Sequence, residues 1–250
     1  MIEKINHIII KQIALVGAGP GGVEYLTLKA LKAIGQADVI LFDELIKDCF
    51  HDIASPDAEL INVGKRCSDG VDQNERQNMI NQLIQQNYHA GKRVVRLKGG
   101  DPMLYGKITE EIQFLNSKSI DFEIIPGISA GQAGAAIFKI PLTVRGKATE
   151  VLLSTAQKIN SELTGYSKMA ATINEGTPII IYMGGTKIES IAKAFIEKGV
   201  NHPVYLNVLS NVGTAEQSVF STTLLDVLKN PPTDIKLPAL LIIGKYAVPN

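Results

Sequence analysis

Two periods alternate along the first half of the chain. Short apolar runs at 12–16 (QIALV), 38–42 (DVILF), 59–63 (ELINV), 93–97 (RVVRL) and 121–125 (DFEII) have the length of buried strands. Between them the spacing becomes helical. Leu26, Ala30 and Ala33, with Leu31 and Ile34 beside them, mark a helix that stops near Gly35. Met79, Ile80, Leu83 and Ile84 place a second over 75–89, ended by Gly91, and a third is predicted over 107–117. This β-α-β-α rhythm predicts a parallel sheet covered by helices, and in such sheets ligands sit beyond the C-terminal ends of the strands.

The second half is less regular. A helix over 128–138 leads to Ile140-Pro141, and strands are predicted at 150–154, 178–183, 203–209 and 238–243. Residues 188–198 form an amphipathic helix with Ile188, Ile191, Ala192, Phe195 and Ile196 on one face. The polar stretch 155–177 is expected to be a mobile connection. A boundary in the 126–146 region divides the chain into an α/β domain with a parallel sheet (1–126) and an α/β domain with a mixed sheet (127–250).

Composition narrows the function classes. Lys+Arg and Asp+Glu are both 25 in 250 residues, so the net charge of zero excludes a global nucleic-acid-binding field, and any basic site must be local. Cys49 and Cys67, with His51 nearby, supply too few ligands for zinc, so no metal is expected. The apolar run at 8–10 is too short for a signal peptide, and no stretch reaches the roughly 18 apolar residues of a membrane span. A soluble cytoplasmic protein follows, with neither membrane nor nucleic acid as partner.

Candidate chemistry gathers at the strand ends. Gly17-Ala18-Gly19-Pro20-Gly21-Gly22 spells G-x-G-x-x-G after the first strand, and Asp43 closes the next. That pair suits a nicotinamide dinucleotide, with the acid on the ribose, although Pro20 offers no N–H to a pyrophosphate. A tight turn with no ligand is the other reading. Arg96-Leu97-Lys98-Gly99-Gly100-Asp101-Pro102 follows the fourth strand, where the two glycines let a ligand approach the backbone. Pro126-Gly127-Ile128-Ser129-Ala130 and Tyr182-Met183-Gly184-Gly185 stand at two further strand ends, with Ser129 equally able to cap a helix.

Together these segments resemble the tetrapyrrole methylases, and within that family the branch acting on uroporphyrinogen III. The resemblance runs from Ile13 to Lys245. It is carried by VGAGPG (16–21), Gly64-Lys65-Arg66, VVRLKGGDP (94–102), Pro126-Gly127-Ile128, Ile140-Pro141-Leu142-Thr143 and Tyr182-Met183-Gly184. It implies two α/β domains with an active-site cleft between them, in a homodimer, and S-adenosylmethionine as cofactor. Pro20, Gly99, Gly100, Asp101, Leu104, Ser129, Ala130 and Met183, with Gly213, would then contact that cofactor. Asp43 takes the place of the family's base, and Lys65 that of its proton donor. The substrate half departs from the family pattern: Thr143-Val144-Arg145 stands where Thr-His-Arg is usual, and Asp101-Pro102-Met103-Leu104-Tyr105-Gly106 is closer to a precorrin-4 methylase.

The implied reaction needs no metal, because a sulfonium donor is already activated. Alignment can contribute up to about 7–11 kcal/mol. Methylating a pyrrole carbon forces proton rearrangement, a task for Asp43 and Lys65, and such proton transfers contribute about 10²–10⁴-fold. The substrate is rich in carboxylates, which suits Arg66, Arg96, Lys98, Lys107 and Arg145 as a local basic cluster. The alternatives are a methylase of another corrin precursor such as precorrin-4 and a catalytically weak tetrapyrrole-binding protein.

Overall fold

The computed structural model describes residues 9–46, 49–64, 70, 72–156, 164–200 and 203–249. The chain forms two compact units, Met1–Ser129 and Ala130–Asn250. The first unit extends past the boundary expected at 126. Gly127 donates its N–H to Asp101 Oδ2 at 3.0 Å, which ties the 126–129 segment to the first sheet.

In the first unit, β1 (Ile13–Gly17), β2 (Val39–Phe42), β3 (Glu59–Asn62), β4 (Val94–Lys98) and β5 (Phe122–Ile125) form a five-stranded sheet in the order β3-β2-β4-β1-β5. All its pairings are parallel. Strand side chains alternate between faces, so each face builds its own core. Ala14, Val16, Ile40, Phe42, Val95 and Leu97 pack against α1 (Leu28–Gln36) through Ala30, Ala33 and Ile34. Ile13, Leu15, Val39, Leu41 and Val94 meet α2 (Gln73–His89) and α3 (Ile108–Ser117) through Ile80, Ile84, Ile108 and Leu115. Each such side chain, fully buried, contributes about 1.5–3 kcal/mol. Thr27 caps α1, its hydroxyl accepting the Ala30 N–H at 3.1 Å.

The second unit opens with α4 (Ala130–Ile137). Its sheet contains β6 (Leu152–Thr155), β7 (Ile179–Tyr182), β8 (Tyr205–Ser210), β9 (Ser218–Thr223) and β10 (Ala239–Gly244) in the order β6-β7-β10-β8-β9. Only β6 and β7 run parallel. One face packs on α5 (Thr164–Asn174), α6 (Ile188–Glu197) and α7 (Leu224–Lys229), and the other on α4.

Three elements differ from the sequence expectation. The stretch 155–177 contains α5, whose Tyr166, Met169, Ala170 and Ile173 are core residues, so this part is no mobile connection. Strand β9 and helix α7 were not expected. Most of β9 is solvent-exposed and lacks the apolar alternation that marks a strand. Helix α7 has only six residues, too short for a periodic signal.

Candidate functional site

Three strand-end loops of the first unit meet. Ala18 N donates to Lys98 O at 2.8 Å, Gly19 N to Gly100 O at 3.2 Å, and Gly100 N returns to Gly19 O at 2.7 Å. The loop after β5 joins them through Gly127 and Asp101. Glycine is required at this junction: a Cβ on Gly17 would lie 2.6 Å from Gly127 N and 2.7 Å from Gly100 O. Gly19 and Gly100 also hold positive φ, at 73° and 66°.

This geometry decides between the two readings of the glycine-rich turn. The amides of Ala18 and Gly19 are used in joining the loops, and Pro20 has none to offer. The helix begins only at Leu28, after a short 3-10 turn over Val23–Tyr25. A dinucleotide site needs free amides and a helix N-terminus at the phosphates. With the Ala18 and Gly19 amides engaged, Pro20 without an N–H and the helix starting only at Leu28, the turn lacks the form of a dinucleotide pyrophosphate cradle.

The junction presents backbone and apolar surface. Gly99 is exposed, and a Cβ there would meet only the Ile46 methyl at 3.4 Å, which leaves its backbone approachable. Leu104, further along the same loop, is half-buried, as is Pro20 on the loop after β1. Asp101 staples its own loop, accepting from Met103 N at 2.9 Å as well as from Gly127 N. Such a floor fits a phosphate-free nucleoside such as S-adenosylmethionine better than a dinucleotide.

Ser129 is buried at the end of the first unit, and Ala130 begins α4. In the second unit, Met183 follows β7 with a left-handed φ of 57° and an exposed side chain. Gly213 is buried and donates its N–H to Gln217 Oε1 at 3.1 Å.

Asp43 follows β2 with its side chain 32% exposed. Arg96 Nη2 donates to Asp43 Oδ1 at 2.6 Å. The guanidinium is otherwise internal: Nη1 donates to Leu41 O (3.3 Å) and Leu97 O (2.9 Å), and Nε to Glu111 Oε1 (3.3 Å). Lys98 Nζ donates to the same Glu111 oxygen at 2.9 Å. Burial by itself would lower the Arg96 pKa, but the charges of Asp43 and Glu111 outweigh it and raise the net value. The Lys98 ammonium is shifted the other way, by burial first and then by the Arg96 charge.

The basic residues expected to hold substrate thus separate. Arg96 and Lys98 are 3% and 4% exposed and committed to buried partners. Lys107 is exposed, with Nζ donating to Gln73 Oε1 at 2.7 Å. Arg145 is exposed in the turn between the paired Val144 and Ala148 of the second unit. Lys65, Arg66 and Cys67 lie outside the described residues. Cys49, half-buried, donates its S–H to Ile46 O at 3.1 Å. Among the described residues no group of three or more His, Cys, Asp or Glu is placed to hold a metal, and no helix is long and apolar enough to cross a membrane.

Sequence reasoning missed Glu111, although a signal was there. Two basic residues on one face of a buried strand require an acid opposite. Ile108, Glu111 and Leu115 fall on the inward stripe of α3, and all three are buried.

Comparison with known proteins identifies the family. A family model described as Tetrapyrrole (Corrin/Porphyrin) Methylases matches residues 12–228. The chain is 36% identical over 235 residues to the uroporphyrinogen-III C-methyltransferase of Pseudomonas aeruginosa, covering 94% of this chain and 93% of that protein. It is 40% identical over 234 residues to the siroheme synthase of Xylella fastidiosa, covering 93% of this chain and 48% of the relative. The chain spans about half the length of the siroheme synthases it matches. Among solved structures, the uroporphyrin-III C-methyl transferase of Thermus thermophilus complexed with S-adenyl homocysteine superposes with a TM-score of 0.77 at 28% identity, covering 94% of this chain and 98% of that one. A cobalt precorrin-4 methyltransferase of cobalamin biosynthesis gives 0.80 at 26% identity, covering 95% and 97%.

Proposed function

This chain belongs to the tetrapyrrole (corrin/porphyrin) methylase family, and from that premise we propose that it transfers methyl groups from S-adenosylmethionine to ring carbons of uroporphyrinogen III. The likeness to a uroporphyrinogen-III C-methyltransferase across 93% of that protein's length carries the reading. The joined loops support it, because the Ala18, Gly19 and Gly100 amides are bonded between the loops and the exposed Gly99 leaves bare backbone for a nucleoside.

Bound there, S-adenosylmethionine supplies a methyl group on a positive sulfonium with a neutral leaving group. The chain's task is to orient and to move protons. Pro20, Gly99, Gly100, Asp101, Leu104, Ser129, Ala130, Met183 and Gly213 hold the cofactor. Asp43, with one oxygen fixed by Arg96 and part of its side chain open, accepts the proton that the macrocycle gives up elsewhere when a fully substituted pyrrole carbon gains the methyl group. Lys65 returns a proton to the macrocycle. Arg66, Lys107 and Arg145 meet substrate carboxylates, whereas Arg96 and Lys98 act from beneath. The protein works as a cytoplasmic homodimer, and its product feeds sirohaem or cobalamin synthesis.

A second reading has its own support: the likeness to cobalt precorrin-4 methyltransferase and the Asp101-Pro102-Met103-Leu104-Tyr105-Gly106 loop point to a later corrin precursor. Anaerobic assays with S-adenosylmethionine separate the two. Methylated products from uroporphyrinogen III are expected. Methyl transfer to cobalt precorrin-4 alone would establish the second reading. Calorimetry is expected to show S-adenosylhomocysteine binding and no NAD binding, and the reverse would end both readings.

A further inference from the structure

The Arg96, Lys98 and Glu111 side chains form a buried ionic cluster whose only partly exposed member is Asp43. We propose that Glu111 is a positioning residue: by bracing Arg96 from the interior it aims the guanidinium at Asp43 and so sets the direction of the Asp43 carboxylate. The inference rests on Asp43 being the base of the proposed methyl transfer.

Stability does not explain the cluster. Buried ion pairs are often no more stabilising than apolar residues of the same volume. This one carries a further cost, because Glu111 is 0% exposed and its Oε2 has no hydrogen-bond partner among the described residues. Leaving a buried polar group unpaired is destabilising, and more so when it is charged. What the cluster provides is direction. All three guanidinium nitrogens are engaged: Nε by Glu111, Nη1 by the carbonyls of Leu41 on β2 and Leu97 on β4, and Nη2 by Asp43. The two carbonyls hold the Nη1 corner of the plane, Glu111 holds the Nε corner, and the remaining nitrogen then points to Asp43 Oδ1. Lys98 balances the second carboxylate, so the four charges of Arg96, Lys98, Glu111 and Asp43 sum to zero. The other carboxylate oxygen, Oδ2, is left for the reacting proton.

A mutant cycle with Asp43 tests the brace. The Lys98→Met/Glu111→Leu double variant removes opposite charges together, and Glu111→Gln removes one charge with little change of shape. Both are expected to lose about tenfold in kcat for uroporphyrinogen III methylation, while substrate KM and the S-adenosylhomocysteine Kd stay within about twofold. In an Asp43→Asn background the same changes should alter kcat by less than about twofold, since nothing remains to be aimed. Glu111→Asp should recover part of the loss. Equal losses in both backgrounds would reduce Glu111 to a structural residue and leave Asp43 in place as the base. Full activity of Asp43→Asn alone would remove Asp43 from the mechanism, and this inference with it. A crystal structure of the double variant gives a readout independent of turnover: Arg96 Nη2 should leave Asp43, and retention of the 2.6 Å contact overturns the brace.

Discussion

At the scale of single residues, the chemistry assigned to Asp43 depends on a contact made far away in sequence. Arg96 is bonded to it from a neighbouring strand, and an ionised acceptor bonded to an ionised donor is a strong, directional pair. Asp43→Asn keeps the shape and removes the base. Its kcat is expected to fall by about 10²–10⁴-fold with S-adenosylhomocysteine affinity nearly unchanged, as rapid-quench assays and calorimetry would measure. Tyr166 presents a different residue-scale effect. Burial pushes its phenol up to about 12, and its ring packs edge-on against Phe195 at 5.2 Å. A folded-state value above the unfolded one of about 10 means that the stability it contributes is complete below pH 10 and is lost as pH climbs towards 12. Tyr166→Phe should flatten that alkaline decline, by at most about 2 kcal/mol, in urea melts at pH 9 and pH 11.5. An equally steep decline in the variant would locate it in other groups.

At the scale of elements, local sequence rules worked where an element carries its own signal. The helix predicted over 107–117 is observed over Ile108–Ser117, and that over 188–198 over Ile188–Glu197. Their apolar stripes repeat over several turns. Helix α5 failed that test because polar and apolar residues are mixed along it, although Tyr166, Met169, Ala170 and Ile173 do fall at helical spacing. The first helix shows how a cap decides a boundary. Apolar spacing suggested that it included Leu26, but Thr27 accepts the Ala30 N–H, and the helix begins at Leu28. Thr27→Ala is expected to cost about 1 kcal/mol, within a range of roughly 0.5–2, in chemical denaturation of the whole protein. No loss would mean that the cap adds nothing to the packing of α1.

At the scale of the whole molecule, binding should be visible as stability. A ligand that binds only the folded form at 100 times its Kd stabilises by about 2.7 kcal/mol. S-adenosylhomocysteine should therefore raise Tm in scanning calorimetry in a concentration-dependent way, while NAD should leave it unchanged. A shift with NAD alone would reverse the choice of cofactor. The sequence by itself determined the strand-and-helix alternation, the placing of glycine-rich loops at strand ends, and the family, because periodicity and short motifs are local properties that survive in one dimension. Only the tertiary structure decided that the Ala18 and Gly19 amides are consumed by neighbouring loops, and that Arg96 and Lys98 face a buried acid instead of solvent. Both depend on which strands lie side by side. The order β3-β2-β4-β1-β5 brings distant segments within hydrogen-bonding range, and no spacing along the chain encodes that order.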